Sequence, residues 1–375
     1  MATSKPALLM LDDGACFEGT ACGALGEATG ETVFVTGMSG YQETLTDPSY
    51  HGQIVVFTAA HMGNYGVSPD DDEAPFIRAG GVVFHNLFTQ ADAMPFPHWR
   101  SVKSLNAMLT EAGVSGICGV DTRALTLHLR RHGARNGIIS ALDMDRDSLW
   151  QRAKALPAMQ GQDLAARVST GNRYTFQPEA VNKISTEKPL KVAVLDYGVK
   201  RSILRHLMQN NMQPEVWPAA STADDILASK PDGVLLSNGP GDPDPCLYAI
   251  ETVRKLVGRV PIFGICLGHQ LLGLAMGGKT YKLPFGHHGL NHPVKETESG
   301  RVSITSQNHG FCLSPESLPK NIRPTHWNLN DNTLEGMTCT DAPAFSVQFH
   351  PEAAPGTHDA CGLFGRFREL IQSRK

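Results

Sequence analysis

Hydrophobic and polar positions follow two different patterns along the chain. Before residue 140, short apolar runs at 32–36, 54–58 and 81–84 are separated by glycine and proline, which is typical of strands joined by turns. From residue 191 onward, short apolar runs alternate with stretches of helical spacing. The first pattern predicts a β-rich α+β domain. The second predicts an α/β domain around a mainly parallel sheet.

The same patterns indicate where the domains end. Asp121 or Thr122 is suited to cap a helix at 124–131, which ends in basic residues and Gly133. Between residues 150 and 190 the periodicity is weaker and polar side chains are frequent, as in a connection between domains. We therefore expect an N-terminal domain at 1–150, a connecting segment at 151–190 and a C-terminal domain at 191–375.

The C-terminal pattern brings several loops to one edge of the predicted sheet. Runs 192–195, 233–236 and 260–263 are predicted strands, and 201–208 is a predicted helix. Ligands of such sheets bind at the carboxyl ends of the strands. The loop at 237–241 and Cys266 both follow predicted strands, so we expect the chemistry of the chain there.

Cys266 lies in a turn between two glycines, Gly264 and Gly268. An apolar run at 260–263 precedes the turn and a helix-like run at 269–276 follows it. Strand, glycine-flanked turn and helix make a nucleophile elbow, which exposes the central side chain at the end of the strand. The helix N-terminus behind the sulfur favours the thiolate, which is the reactive form. The turn alone leaves a buried structural cysteine equally open.

His350 and Glu352 offer the base and the orienting carboxylate that a thiolate nucleophile needs. They follow a strand-like run at 344–347, and residues i and i+2 of an extended chain point to the same side. A carboxylate beside an imidazole fixes its tautomer and stabilises the imidazolium. Taken alone, the pair also fits a surface histidine and glutamate at a strand end. Together with the elbow, it favours a catalytic triad.

Acyl transfer also creates an oxyanion that needs hydrogen-bond donors. The backbone N–H of Leu267, directly after Cys266, is one candidate donor. The second is the N–H of Gly239, in the loop at 237–241. Taken alone, that loop is equally well explained as a plain Pro/Gly turn.

These three pieces, in this order, resemble the class I (triad) glutamine amidotransferases over residues 191–370. The resemblance implies that Cys266, His350 and Glu352 hydrolyse glutamine through a γ-glutamyl thioester and release ammonia. One departure from the family is Ser202, where asparagine usually follows Lys200 and Arg201. Further segments resemble the small chain of carbamoyl phosphate synthetase, so that this likeness runs nearly end to end: 36–43, 45–50, 119–126, 285–289 and 307–311.

The resemblance also implies the substrate contacts and the partner. Gln270, one helical turn past Cys266, is placed to face the same pocket. We expect ATP and Mg on the partner, the large synthetase subunit, and no cofactor or metal on this chain. The sequence leaves open whether the heterodimer forms higher oligomers. It also leaves open whether the product feeds arginine synthesis, pyrimidine synthesis or both. The contacts implied for L-glutamine are Ser49, Gly239, Gly241, Leu267, Gln270, Asn308, Gly310 and Phe311.

Two other motifs are set aside. Residues 273–280 match the phosphate-binding pattern GxxxxGKT, but that pattern needs a strand before it and a helix after it. Here a helix-like run comes before and a strand-like run at 280–283 comes after. His287, His288 and His292 have loose metal-ligand spacing without a fourth ligand, so we interpret them as a hydrogen-bonded loop rather than a zinc site.

Composition limits the class of protein. The chain has 375 residues, 41% of them hydrophobic and 19% charged, which is ordinary for a soluble protein. A net charge of -4 gives no electrostatic reason to expect nucleic acid or an anionic membrane as a partner. The eight cysteines include no CxxC pair, which fits free thiols in the cytoplasm. The apolar run at 7–11 is too short for a signal peptide.

Two alternatives to this function remain at the level of sequence. The amidotransferase domain can serve another synthetase, such as one that makes GMP or anthranilate, although the N-terminal segments argue against it. The chain can also be a non-catalytic scaffold for a synthetase, against which the intact triad argues. Glutaminase activity of the wild type and of Cys266→Ala separates these alternatives.

Overall fold

The computed structural model describes residues 5–88, 98–177 and 187–374. Within them the chain divides into two compact units. Unit 1 comprises Met1–Met159 and Pro284–Gly289, and unit 2 comprises Gln160–Leu283 and Leu290–Lys375. Residues 178–186 of the predicted connection lie outside the described residues, and the predicted bounds at 150 and 190 stay a prediction.

Unit 1 is built on a closed barrel of seven strands in the order β1-β2-β8-β6-β4-β3-β9. The pairs β3–β4, β4–β6 and β6–β8 are parallel, and the other pairs are antiparallel. The strands of this unit are β1 (Pro6–Leu11), β2 (Cys16–Gly23), β3 (Glu27–Val35), β4 (Gln53–Phe57), β5 (His61–Met62), β6 (Gly81–Val83), β7 (Asn86–Leu87), β8 (Ser115–Cys118) and β9 (Arg135–Ser140). The helices are α1 (Tyr41–Thr46), α2 (Leu105–Glu111), α3 (Thr122–His132) and α4 (Arg146–Lys154).

Apolar side chains from every strand of the barrel meet in one cluster. Leu9, Ile54 and Ile139 are fully or almost fully buried in it, and Leu125 of α3 joins them. The predicted capping of α3 is confirmed at Asp121, whose side chain accepts a hydrogen bond from the N–H of Ala124 at 2.9 Å. The β-rich N-terminal region predicted from the sequence is therefore present. The sequence analysis did not predict that its sheet closes into a barrel.

Unit 2 is built on one sheet of ten strands in the order β10-β12-β11-β13-β14-β19-β18-β17-β15-β16. Its strands are β10 (Tyr174–Thr175), β11 (Leu190–Asp196), β12 (Met212–Pro218), β13 (Gly233–Leu236), β14 (Ile262–Ile265), β15 (Thr280–Glu296), β16 (Val302–Leu313), β17 (Ile322–Asn328), β18 (Leu334–Cys339) and β19 (Ala344–Val347). Its helices are α5 (Ala165–Val168), α6 (Arg201–Gln209), α7 (Ala223–Ala228), α8 (Leu247–Leu256), α9 (Leu267–Ala275) and α10 (Gly362–Gln372). The middle of β15, Pro284–Gly289, is counted in unit 1.

The centre of this sheet is parallel and covered on both faces. Strands β12, β11, β13, β14 and β19 pair in parallel. Along β11, Val192 and Val194 pack into one apolar cluster, while Ala193 and Leu195 pack into the cluster on the opposite face. A strand buried on both faces needs such a continuous apolar run. The predicted α/β class is confirmed, and an antiparallel extension through β18, β17 and β15 continues the sheet on one side.

Within the described residues, none of the helices combines the length and the apolar character that crossing a membrane requires.

Candidate active site

The predicted nucleophile elbow is present at the carboxyl end of β14. Cys266 follows that strand directly, and its φ of 53° and ψ of -105° lie in a strained region for a residue with a Cβ. Gly268 passes so close to β13 that a Cβ on it would lie 2.2 Å from the carbonyl oxygen of Leu236. The N–H of Cys266 donates to the carbonyl of Val347 at 2.9 Å, which ties the elbow to the end of β19. The geometry therefore fixes this thiol at the end of two adjacent strands.

His350 and Glu352 follow β19 and come together as their i, i+2 spacing predicts. The Nδ1 atom of His350 and the Oε1 atom of Glu352 are 2.7 Å apart. The two side chains are 1% and 0% exposed, so their interaction is shielded from water. The backbone N–H of His350 donates to the carbonyl of Ser306 at 2.9 Å. A carboxylate at Nδ1 leaves Nε2 as the nitrogen available for chemistry.

Lys200 supplies a cation to this buried pair. Its Nζ atom donates to Oε1 of Glu352 at 2.9 Å and to the carbonyl of Ala353 at 2.6 Å, and its side chain is 2% exposed. Burial raises the pKa of Glu352, but the charges on Lys200 and His350 outweigh burial and lower it to about 2. The carboxylate is therefore ionised at neutral pH.

The charge on His350 follows from the same competition. Burial lowers the pKa of the His350 ring, but the charges on Glu352 and Cys266 outweigh burial and raise it to about 10. Its Nε2 atom is buried and has no hydrogen-bond partner of ordinary geometry among the described residues, although Cys266 lies near enough to interact with the ring. The structure thus places the second ring nitrogen of a histidine with a raised pKa beside the sulfur of Cys266.

The thiol contacts one segment that carries predicted substrate residues and one that leads to His350. Its Sγ atom lies 3.5 Å from the carbonyl oxygen of Asn308 and accepts from Nε2 of Gln348 at 3.7 Å. The side chain of Gln270 donates to Oε1 of Gln348 at 3.0 Å and to the carbonyl of Phe311 at 2.7 Å. The structure therefore brings Gln270, Asn308 and Phe311 into one chain of contacts with Cys266.

The two predicted oxyanion donors are neighbours. A Cβ on Gly239 would lie 2.2 Å from the carbonyl oxygen of Tyr197 and 2.8 Å from Cδ2 of Leu267, so only glycine allows this loop to approach the elbow. Leu267 begins α9, and the first N–H groups of a helix have no partner inside it. Their role as oxyanion donors stays a prediction that this geometry favours.

The remaining predicted substrate residues are distributed between the units. Gly241 follows β13, and Gly310 lies in β16 with open space where a Cβ would be, apart from Nζ of Lys282 at 3.6 Å. Ser49 lies in unit 1, where it is buried and its N–H donates to Oδ1 of Asp47 at 2.9 Å. Binding of glutamine by Ser49 stays a prediction.

Sequence reasoning missed Lys200 and Gln348. Gln348 lies two residues before His350, and Lys200 comes four residues after Asp196, the last residue of β11. A usable signal existed for Lys200, because a lysine in the loop that follows a parallel strand lies at the edge of the sheet where the chemistry is expected. A buried lysine also requires a carboxylate partner, which Glu352 provides.

The motif at 273–280 has the context that the sequence predicts. It runs from the end of α9, at Ala275, to the start of β15, at Thr280. A helix N-terminus does not follow it, so its backbone is not arranged as a phosphate cradle. The three histidines were predicted to lie in a loop, and that prediction is wrong: all three lie in strand β15, which runs through the glycines and prolines of this stretch without interruption. His287 and His288 are counted in unit 1 and His292 in unit 2.

Similarity to known proteins covers nearly the whole chain and not only the site. Residues 193–370 match the family model of class-I glutamine amidotransferases, and residues 9–139 match that of the carbamoyl-phosphate synthase small chain, CPSase domain. The carbamoyl phosphate synthase small chain of Chlorobaculum tepidum is 49% identical over 373 residues, which cover 99% of each chain. That of Vibrio cholerae is 49% identical over 381 residues, covering 98% of this chain and 99% of its own.

The chain belongs to the carbamoyl phosphate synthase small chains. Membership confirms the resemblance on which the site residues were transferred. In this family member the amidotransferase domain occupies 193–370, the stretch that carries the elbow and the His350–Glu352 pair. The chain is accordingly the glutamine-hydrolysing component of a carbamoyl-phosphate synthase, and a small chain implies a large-chain partner.

Proposed function

We propose that Cys266, His350 and Glu352 form a catalytic triad that hydrolyses L-glutamine through a thioester. The observation that carries the proposal is the buried ion pair of His350 with Glu352, 2.7 Å apart, beside a cysteine held on a strained elbow. A histidine with a raised pKa stabilises a thiolate next to it, and the thiolate is the nucleophile. The proposed reaction therefore begins from a thiolate on Cys266 and an imidazolium on His350.

The first half of the reaction transfers the acyl group to sulfur. The thiolate of Cys266 attacks the side-chain amide carbon, and the N–H groups of Leu267 and Gly239 bind the resulting oxyanion. The imidazolium of His350 gives its Nε2 proton to the amide nitrogen, the C–N bond breaks and ammonia leaves. Glu352 keeps the ring oriented and Lys200 keeps Glu352 ionised, so the proton is delivered from a fixed position.

The second half restores the enzyme. Neutral His350 removes a proton from water as the water oxygen attacks the thioester carbon. The C–S bond then breaks, glutamate leaves, and the thiolate and imidazolium return. Gln270, Asn308, Gly310 and Phe311 are proposed to hold the substrate around Cys266, with Gly241 and Ser49 as further contacts.

The ammonia is proposed to serve a large synthetase subunit. That subunit would bind ATP and Mg and would make carbamoyl phosphate from ammonia and bicarbonate, for arginine or pyrimidine synthesis. Ammonia is mostly protonated at neutral pH and is then no nucleophile, so we expect a protected route and a glutaminase that is slow without its partner. All eight cysteines are free, which supports a reducing cytoplasm as the compartment.

The test compares two buried cysteines of unit 2. Glutaminase activity is measured for the wild type, Cys266→Ala and the matched control Cys246→Ala, with and without the large subunit, bicarbonate and ATP. We expect Cys266→Ala to lose about 10³-fold or more in kcat, because the nucleophile is gone, and Cys246→Ala to stay within about threefold. Acid quenching and mass spectrometry should detect a glutamyl adduct on Cys266 of the wild type.

Two outcomes would contradict the proposal at different points. Activity that survives Cys266→Ala would remove the triad assignment. Glutaminase activity at the full rate without stimulation by the large subunit and its substrates would remove the coupling, while leaving the triad in place.

A further inference from the structure

A second group of potential ligands lies in unit 2, away from the elbow. His206 is on α6, His358 is in the loop before α10, and Cys361 directly precedes α10. The Sγ atom of Cys361 lies 3.5 Å from Nδ1 of His358 and 3.9 Å from Nε2 of His206. The three ligand atoms all lie within 4.8 Å of one another. This His206–His358–Cys361 cluster takes no part in the mechanism proposed above.

The separations of these atoms match those around a small tetrahedral cation. Zinc binds thiolate at about 2.3 Å and imidazole at about 2.05 Å, so that sulfur and nitrogen ligands lie about 3.6 Å apart across a tetrahedral angle. The two separations in the structure, 3.5 and 3.9 Å, lie close to that value. A thiol with two imidazoles is also a donor set that zinc prefers.

The loop that carries two of the ligands is fixed by its own contacts. His358 and Cys361 have the spacing HxxC, and the N–H of Cys361 donates to the carbonyl of His358 at 3.2 Å. Between them, Oδ2 of Asp359 accepts from the N–H of Ile304 at 3.0 Å, and its carbonyl accepts from Arg301 at 3.1 Å. The turn is therefore held in place without a cation, and little rearrangement is needed to bind one.

The third ligand, His206, is oriented by a stacking contact and a hydrogen bond. The ring of His206 stacks on Phe364, with centroids 4.9 Å apart and planes 13° apart. It also hydrogen-bonds the backbone carbonyl of Glu352. Because Nε2 faces Cys361, Nδ1 is the nitrogen left for that carbonyl. Metal-ligating histidines commonly donate their second ring N–H to a carbonyl or carboxylate in this way.

We propose that His206, His358 and Cys361 form a three-ligand site for a thiophilic divalent cation of the zinc class, with the fourth position open to water. His358 is exposed and the other two ligands are half-buried, so a cation can enter from solvent. The sequence analysis predicted no metal here because His206 lies 155 positions before Cys361, beyond the reach of any local spacing rule. None of the three ligands takes part in the glutaminase mechanism proposed above, and His206 contacts that site through the backbone of Glu352.

The test uses Co²⁺ as a spectroscopic probe for zinc. The metal-free chain is titrated with Co²⁺ in a Cys266→Ala background, which removes the thiol of the triad, and the bound Co²⁺ is then displaced by Zn²⁺. We expect one equivalent to bind with a sulfur-to-cobalt charge-transfer band in the near ultraviolet. His358→Gln and Cys361→Ser should each weaken binding at least tenfold, and Cys361→Ser should abolish the band.

The controls separate this site from other thiols and from unfolding. Cys16→Ser replaces another partly exposed free cysteine, in unit 1, and should leave the affinity and the band unchanged. His358 is exposed, so His358→Gln tests the site without disturbing the core. Equal binding by Cys361→Ser and its parent would overturn the proposal. So would the absence of a charge-transfer band at saturating Co²⁺, which would leave only a hydrogen-bonded Cys361.

Discussion

Two buried polar networks in unit 2 differ in what they leave unpaired. The triad cluster is defined as Cys266, His350, Glu352 and Lys200. It leaves Nε2 of His350 and Oε2 of Glu352 without a hydrogen bond of ordinary geometry among the described residues, although the His350 ring interacts with Cys266. The amide network is defined as Glu335, Gln307, Asn328 and His309. In it, both carboxylate oxygens of Glu335 accept, from Asn328 at 2.9 Å and from Gln307 at 3.0 Å, and both ring nitrogens of His309 have partners.

The difference separates a reactive network from a supporting one. Buried polar groups are normally paired, so a buried nitrogen that lacks an ordinary hydrogen bond and lies next to a thiol marks a place where a substrate completes the bonding. The amide network instead fixes backbone: the carbonyl of Glu335 accepts from the N–H of Gln348 at 2.9 Å, two residues before His350. The two networks should therefore respond differently to mutation, the first in both rate and stability and the second mainly in stability.

The largest effect on stability is expected from Lys200→Met, which removes one of the two cations paired with the buried carboxylate of Glu352. Removing one partner of a buried ion pair destabilises a protein by about 3 kcal/mol or more, and the low end applies here because His350 stays beside Glu352. Because Lys200 also holds Glu352 in place for His350, kcat for glutamine hydrolysis should fall at least about tenfold. Urea unfolding and steady-state kinetics of the same preparations measure both.

A second substitution tests whether the carboxylate of Glu352, left without Lys200, causes the loss of stability. In the Lys200→Met background, Glu352→Gln removes the carboxylate and should recover about 2 kcal/mol of the lost stability without recovering kcat. If the double variant has a lower free energy of unfolding than Lys200→Met, the broken ion pair does not account for the loss of stability.

A smaller effect is expected from Glu335→Gln in the amide network. One carboxylate oxygen becomes an amide NH₂ that faces the donor of Asn328 or of Gln307, so one buried hydrogen bond is replaced by two opposed donors. The free energy of unfolding should fall by about 2 kcal/mol. The loss of kcat should be smaller than for Lys200→Met. A greater loss of kcat in Glu335→Gln would break the distinction between the networks.

The sequence could predict the parts of this site that depend on local spacing. Strands Gly233–Leu236 and Ala344–Val347 were predicted to the residue, because each is an apolar run bounded by turn residues. The elbow and the approach of His350 to Glu352 follow from glycine placement and from the i, i+2 geometry of extended chain. β14 was predicted two residues early, since Val260 and Pro261 continue the apolar character before the strand begins.

The remaining features depend on residues that are far apart in sequence. The barrel closes where β1 pairs with β9, and no local pattern specifies that pairing. The antiparallel extension of the second sheet needs the return of β18 beside β19. Lys200 meets Glu352 across 152 positions, so the cation that sets the charge of the triad is visible only in the folded chain.

The smallest expected effect concerns the charge of His350, and it decreases as the pH rises above neutral. Burial lowers the pKa of His269 to about 3 and, against the charge of Glu296, that of His326 to about 4. The pKa of His350 is raised to about 10. Between pH 5 and 8, NMR of labelled histidine should therefore show His350 protonated and the other two neutral.

The sign of the stability effect follows from the same shift. A histidine whose folded pKa is raised contributes stability that is complete below its unfolded value, about 6.5, and is lost as pH rises toward the folded value, about 10. The stability difference between wild type and His350→Gln should therefore shrink from pH 6.5 to pH 9. A difference that stays constant would mean that His350 is neutral in the folded chain, and the triad would then begin its reaction from thiol and imidazole rather than from the ion pair.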